Sequence, residues 1–166
     1  MTLFRLVAAF VLCFIGLPAV AQGVDQSAQK SDAVATVSSP SGVLTVEVTV
    51  NPEGRVGYRV SRQGKLVIAD SRLGFLFTDA PEMLRNFQVA GQSKRSFDET
   101  WEEPWGEYRR IRNHYNELTV SFDEKNWLKR RMTVVFRLYD DGVGFRYELR
   151  KGANFTHANI ADELSE

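Results

Sequence analysis

The sequence predicts an all-β fold, an antiparallel β-sandwich, and three of its properties lead to that prediction. Short segments in which apolar and polar residues alternate recur along the chain, as half-buried strands require. Gly, Asn, Asp and Pro separate these segments at short intervals, which is typical of antiparallel connections. No long segment has the apolar period of a helix. Two packed antiparallel sheets are therefore favoured over an α/β fold.

The first predicted strands form a meander. Residues 43–50 alternate Leu and Val with Thr and Glu, which gives this strand one apolar face. Residues 51–54 predict a turn because they contain Asn, Pro and Gly, and a second strand follows at residues 56–61. Another turn at residues 62–64 leads to a third strand at residues 65–69.

The rest of the chain continues the same pattern. Further strands are predicted at residues 74–78, 87–91, 108–113, 118–122, 132–139 and 143–149, with one helical turn at residues 81–86. The last two strands form the clearest hairpin, because Asp140-Asp141-Gly142 joins them. The sequence after Ile160 stops without a turn or cap, so we expect the sandwich to be incomplete.

The start of the chain has the features of a secretory signal peptide at residues 1–21. Arg5 precedes an apolar run, and Ala19 and Ala21 provide the small residues of a cleavage site before Gln22. The run is too short to span a bilayer, and no later segment is apolar enough to do so. We therefore expect an exported protein, periplasmic or secreted, without a membrane span. Its only cysteine, Cys13, leaves with the signal.

The mature chain divides into a tether and one domain. Residues 22–38 have few large apolar side chains, so they predict a flexible tether, and residues 39–166 predict the sandwich. Lys plus Arg and Asp plus Glu both number 21, and no block of like charge occurs. This balance does not favour a nucleic-acid partner.

Catalytic and metal-binding patterns are weak in this sequence. Glu103 with Glu107, or Asp98 with Glu102, could form the carboxylate pair of a glycosidase. A solvated loop explains these acids better, because Pro104 breaks the regular spacing that the pairing needs. No Gly-x-Ser-x-Gly motif is present, and the histidines are far apart in sequence. We predict no catalytic residue and no metal site in this chain.

Aromatic residues concentrate between Trp101 and Tyr115. Trp101, Trp105, Tyr108 and Tyr115 could form a platform on which a sugar stacks, or they could be core anchors of the sandwich. The segment around His114, residues 112–116, stays polar for longer than a half-buried strand should. It indicates a bulge or a face turned toward a polar partner.

Four segments together resemble a known family. They read "SPSGVLTVEV", "SRLGFLF", "ETWEEPWGEYRRIRNHYNEL" and "FRLYDDGVGFRYEL", in this order. They look like the N-terminal domain of glycoside hydrolase family 97, the bacterial α-glucosidases and α-galactosidases. The resemblance extends from residue 38 to residue 166.

The resemblance implies a β-super-sandwich, similar to galactose mutarotase domains, that packs on a catalytic (β/α)₈ barrel and helps close its cleft. It also implies that the catalytic carboxylates lie in the barrel. Calcium is expected in the full-length enzyme, held mainly by barrel glutamates. One further glutamate from the N-terminal domain falls beyond the position that matches Glu166, so this chain itself is expected to hold no cofactor.

The residues that match the family signature are the candidates for contacting carbohydrate or the barrel: Trp101, Trp105, Glu107, Arg112, Asn113, His114, Tyr115, Asn116 and Glu117. We expect them to form an exposed patch. The predicted function is that of a non-catalytic N-terminal sandwich of an exported α-glycosidase. The alternatives are a stand-alone module that binds an α-linked oligosaccharide and a structural remnant of a truncated gene.

Overall fold

A computed structural model describes residues 31–165, and all the regular elements in that range are β-strands. The strands are β1 (Asp32–Ser38), β2 (Leu44–Val50), β3 (Val56–Arg62), β4 (Lys65–Phe77), β5 (Phe87–Glu102), β6 (Arg110–Glu124), β7 (Arg131–Leu138), β8 (Val143–Leu149) and β9 (Ile160–Ser165). They form a five-stranded sheet in the order β1-β2-β3-β4-β9 and a four-stranded sheet in the order β5-β6-β7-β8. All the pairings are antiparallel, which confirms the predicted β-sandwich fold.

The core lies between the two sheets and is formed by alternate residues of their strands. Val46 and Val48 of β2 are fully buried, whereas Thr45 and Glu47 point away from the core, as the alternation predicts. Tyr58 of β3 contacts two aromatic rings of the other sheet. The buried set includes Val60, Leu73, Phe75, Leu118, Val120, Phe122, Val134 and Phe136. Each such large side chain contributes about 1.5–3 kcal/mol by leaving water.

The predicted tether at residues 22–38 is wrong over its last seven residues, which form β1. β1 pairs along β2, and its Ala35 and Val37 are buried. Its side chains are small, so its place in the sheet depends on the ladder to β2 rather than on its own hydrophobicity. The strand structure therefore begins at Asp32, not at residue 39. Residues 22–30 and the predicted signal peptide lie outside the described residues.

Several strands are longer than predicted. Residues 65–69 and 74–78 belong largely to the single strand β4, and residues 108–113 and 118–122 belong largely to β6. The helical turn predicted at residues 81–86 is absent, because Met83 instead forms a buried β-bridge with Phe75. β9 was not predicted, and it pairs with the end of β4. Within the described residues, no helix is long and apolar enough to cross a membrane.

A buried ion pair fixes one end of the sandwich. The side chains of Arg130 and Glu124 are each 1% exposed and are joined by hydrogen bonds of 2.6 and 2.7 Å. The same guanidinium donates to the carbonyls of Pro81 and Glu82, at 2.7 Å each. It also lies over the ring of Phe77. The end of β6 is thereby joined to the connection between β4 and β5.

The first half of β4 exposes apolar side chains. Leu66, Val67 and Ile68 are 53%, 55% and 39% exposed. β9 pairs only with residues 73–77 of β4, so within the described residues this half of β4 has a strand partner on one side only, β3. An apolar strand edge of this kind is a site at which chains associate.

We expect Arg130→Met to lower the free energy of unfolding by about 3–5 kcal/mol, because it leaves a buried carboxylate without its partner. Arg131→Met is the matched control, since Arg131 pairs with Asp123 at a half-exposed site and should cost under about 1 kcal/mol. Urea unfolding of both variants measures the difference. Equal losses would contradict the role given to the buried pair.

We expect Val67→Lys to reduce self-association of the chain, because a charge on an exposed edge opposes pairing with a second edge. Light scattering across a concentration series measures the effect. Ala153→Lys adds the same charge at an exposed position outside the strands, in the connection between β8 and β9, and should leave association unchanged. If the two variants behave alike, net charge rather than the edge controls association.

Candidate functional site

The candidate residues lie on a long hairpin formed by β5 and β6. The two strands pair from Phe87 and Glu124 to Glu102 and Arg110, with one register shift near Gly91. β7 pairs with β6 only as far as Asn116, so beyond this point β5 and β6 continue as a two-stranded ribbon. We call residues 97–115 the arm, and residues 103–109 within it the tip. Every residue of the tip is exposed.

The register divides the candidate residues between two opposite faces of the hairpin. The inner face is the one that continues from Leu118, Val120 and Phe122, which pack into the core, and the outer face is its reverse. The outer face carries Trp101, Asn113, Tyr115 and Glu117, the inner face carries Arg112, His114 and Asn116, and the tip carries Trp105 and Glu107. The nine residues therefore do not form one cluster.

Glu117 is the centre of an ion-pair lattice on the outer face. Its carboxylate is buried and accepts hydrogen bonds from Arg95 of β5 at 2.7 and 3.1 Å and from Arg137 of β7 at 2.7 Å. The hydrogen bonds from Arg95, and then from Arg137, hold the pKa of Glu117 below its usual value despite its burial. Three adjacent strands are tied together at the base of the arm.

Tyr115 is also engaged within the domain. Its ring stacks on Phe97 at 5.2 Å, contacts Tyr139 at 5.4 Å, and lies 4.7 Å from the guanidinium of Arg137. The Tyr139 hydroxyl donates to the side-chain oxygen of Asn113 at 3.1 Å. Of the two interpretations of Tyr115, the structure supports a packing anchor, because the residue is only 3% exposed.

The inner face of the arm is polar. Arg112 forms two hydrogen bonds with Asp98, at 2.8 and 2.7 Å, which hold the pKa of Asp98 below its usual value. His114 is half-buried and lies opposite Asp98 in the register. Asn116 accepts a hydrogen bond from Ser96 and donates one to a backbone carbonyl of β1 at 2.8 Å.

The segment around His114 contains no bulge. The β5 and β6 register is continuous from residue 91 to the tip. The segment is polar because the arm extends beyond the sandwich core. Its inner face therefore contacts water or a polar partner rather than apolar side chains. Of the two interpretations of this segment, the second agrees with the structure.

The tip and the adjoining end of β5 carry the expected exposed aromatic surface. Trp101, Trp105 and Tyr108 are 39%, 84% and 71% exposed. The indole nitrogen of Trp101 donates to Glu103 at 3.3 Å. Gly106 has a φ of 123°, a conformation that favours glycine and that turns the chain at the tip. Large aromatic side chains are thus presented at the end of a two-stranded ribbon.

Two carboxylates of the arm, Asp98 and Glu102, are engaged in ion pairs with arginine. A general acid needs a raised pKa, whereas that of Asp98 is lowered. Asp98 is therefore not poised as a general acid. Residues 31–165 contain no group of three or more His, Cys, Asp or Glu side chains that could hold a metal, so they do not fit a calcium site of that kind.

Two features were missed from the sequence. The partners that fix the outer face, Arg95, Phe97, Arg137 and Tyr139, come from neighbouring strands, and only the strand register identifies them. Trp127, on the turn between β6 and β7, is 75% exposed. It lies in a polar turn next to Asn126, and the polar composition of this turn is the one feature of the sequence that indicates an exposed tryptophan.

Comparison with known proteins identifies the family. The family model described as glycosyl-hydrolase 97 N-terminal matches residues 37–166. A retaining α-galactosidase of Bacteroides thetaiotaomicron is 30% identical over 112 residues, which is 68% of this chain and 16% of that protein. A probable retaining α-galactosidase of Streptomyces bingchenggensis is 29% identical over 133 residues, which is 78% of this chain and 20% of that protein.

Solved structures agree with these matches. A glycoside hydrolase family 97 enzyme from Pseudoalteromonas sp. strain K8, in complex with panose, gives a TM-score of 0.75 at 33% identity over 79% of this chain and 20% of that chain. A β-arabinopyranosidase shares the fold, with a TM-score of 0.70 at 24% identity. This chain spans a fifth or less of the length of these relatives. Since the matched residues run from the end of β1 to β9, the chain belongs to the glycosyl-hydrolase 97 N-terminal family.

Proposed function

We propose that this chain is the non-catalytic N-terminal β-sandwich of an exported α-glycosidase. In this proposal the arm packs against the catalytic (β/α)₈ barrel of that enzyme and helps to shape its cleft. One observation carries the proposal: Trp101, Trp105 and Tyr108 are exposed at the end of a ribbon whose base is fixed by two arginines paired with the buried carboxylate of Glu117.

The composition of the tip is that of a contact surface. Trp, Tyr and Arg are the residues that dominate binding energy at protein interfaces. The tip and the adjoining strand ends contain all three types, including Trp105, Tyr108 and Arg109. Because the lattice around Glu117 holds the base of the arm, little conformational entropy is lost when the tip is covered.

The polar inner face is suited to the side of a sugar cleft. Arg112 and His114 offer charged and hydrogen-bonding groups that are held in place by Asp98 or lie opposite it. Carbohydrate sites combine such groups with an aromatic surface. In this proposal the barrel supplies the catalytic carboxylates and the calcium, and residues 1–21 direct export.

The relatives support a catalytic unit outside this chain. They are named as retaining α-galactosidases, and this chain matches a fifth or less of their length. The exposed tryptophans also favour a second candidate, a stand-alone module that binds an α-linked oligosaccharide through the arm tip. A hydrolysis assay distinguishes both candidates from an enzyme. The reading frame after the codon for Glu166 distinguishes the two candidates from each other.

We expect the purified chain to hydrolyse neither an aryl α-glucoside nor an aryl α-galactoside, because Asp98 and Glu102 of the arm are each paired with arginine. The measurement is release of the aryl group, followed through each purification step. Activity that follows the protein through purification would overturn the non-catalytic assignment.

Sequencing the gene through the codon for Glu166 is expected to show a reading frame that continues into a barrel. In that full-length protein, we expect Trp105→Ala to lower kcat/KM by about tenfold, since it removes an aromatic anchor of the interface. Val89→Ala, at an exposed apolar position on β5 outside the arm, is the matched control and should leave kcat/KM unchanged. A stop codon after Glu166, or equal effects of the two substitutions, would contradict the proposed role of the arm.

A further inference from the structure

A second exposed tryptophan surface lies at the opposite end of β6 from the tip. Trp127 is 75% exposed on the turn between β6 and β7. β6 has 15 residues. Because a strand rises about 3.3 Å per residue, this turn and the tip are separated by about 46 Å. The two aromatic surfaces are therefore independent.

The turn that carries Trp127 is rigid. The Leu128 amide donates to the side-chain oxygen of Asn126 at 3.0 Å, and the Asn126 amide group donates to Glu124 at 3.3 Å. Leu128 is buried, and Glu124 belongs to the buried pair with Arg130. The backbone on both sides of the indole is thus fixed before any ligand arrives, which lowers the entropic cost of binding.

A shallow depression of about 320 Å³ lies beside the indole. This volume is at the lower end of the range of ligand sites, about 300–1,000 Å³. Its lining combines the indole with polar side chains from two connections, Asp79 from one and Asn154, Thr156 and His157 from the other. The depression is suited to one short polar ligand with an apolar face.

The polar side chains at the depression are held by one another. Asp79 accepts a hydrogen bond from Asn159 at 2.6 Å and lies 3.2 Å from a ring nitrogen of His157. The other ring nitrogen of His157 lies 3.1 Å from the Thr156 hydroxyl. Asn154 donates to the carbonyl of Leu128 at 3.1 Å, which ties this wall to the tryptophan turn. Donors and acceptors are therefore pre-positioned around the indole.

We propose that Trp127 and this depression form a carbohydrate-binding site. The apolar face of a sugar ring stacks on the indole, while its hydroxyls bond to the carboxylate, amide, hydroxyl and imidazole groups beside it. The ligand class is a short α-linked oligosaccharide. This class rests on the glycosidase assignment under the proposed function, but the site does not depend on the role of the arm.

The test is a fluorescence titration of the complete chain with panose, an α-glucoside, and with melibiose, an α-galactoside. We expect a saturable change in tryptophan emission with at least one of these sugars. Trp127→Ala should weaken binding by about tenfold or more, whereas Trp127→Phe should keep part of it because the stacking surface remains. Val89→Ala is the control at an exposed apolar position on β5, outside both the arm and the depression, and should leave the affinity unchanged.

Two results would overturn the inference. One is a wild-type chain that shows no saturable response to either sugar while a cooperative thermal transition shows that it is folded. The other is a response that Trp105→Ala removes and Trp127→Ala keeps, which would place the sugar on the arm. Neither result tests the packing of the arm on a barrel, so the two proposals fail separately.

Discussion

The buried pair of Arg130 and Glu124 is the constraint on which one end of the molecule depends. Two charges with almost no access to water persist in a core only if each hydrogen-bonding position is filled. Their partners come from β6, from the residues that follow it, and from the connection after β4. The aromatic rings of Phe77 and Phe155 cover the guanidinium. Segments far apart in sequence are therefore held at fixed positions around one side chain.

The other end of β6 is organised differently. The lattice of Arg95, Glu117 and Arg137 lies on the outer face at the base of the arm, and beyond it the ribbon depends on cross-strand pairs. The buried pair of Arg130 and Glu124 anchors the tryptophan turn, whereas a surface lattice orients the arm. Each end thus presents exposed tryptophan on a fixed support, and this common feature underlies both functional proposals.

Strands with one buried face could be located from the sequence. β2, β3, β7 and β8 were located because their apolar residues alternate. The full lengths of β4 and β5 were missed because both faces of long stretches are exposed, which removes the periodic signal. β1 was missed because its stability comes from pairing with β2. The exposed tip was predictable from composition, but the division of the candidates between two faces required the register.

The continuity of β6 has a consequence for how the sequence of this domain can vary. A single strand runs from the tip through the core to the tryptophan turn, and its residues alternate between faces without interruption. One inserted or deleted residue within it would exchange the two faces of everything on one side of the change. Leu118, Val120 and Phe122 would then face water, and Glu117 would face the core. Changes in length among related domains should therefore be confined to the tip and the turns, while the spacing from Arg112 to Glu124 stays constant.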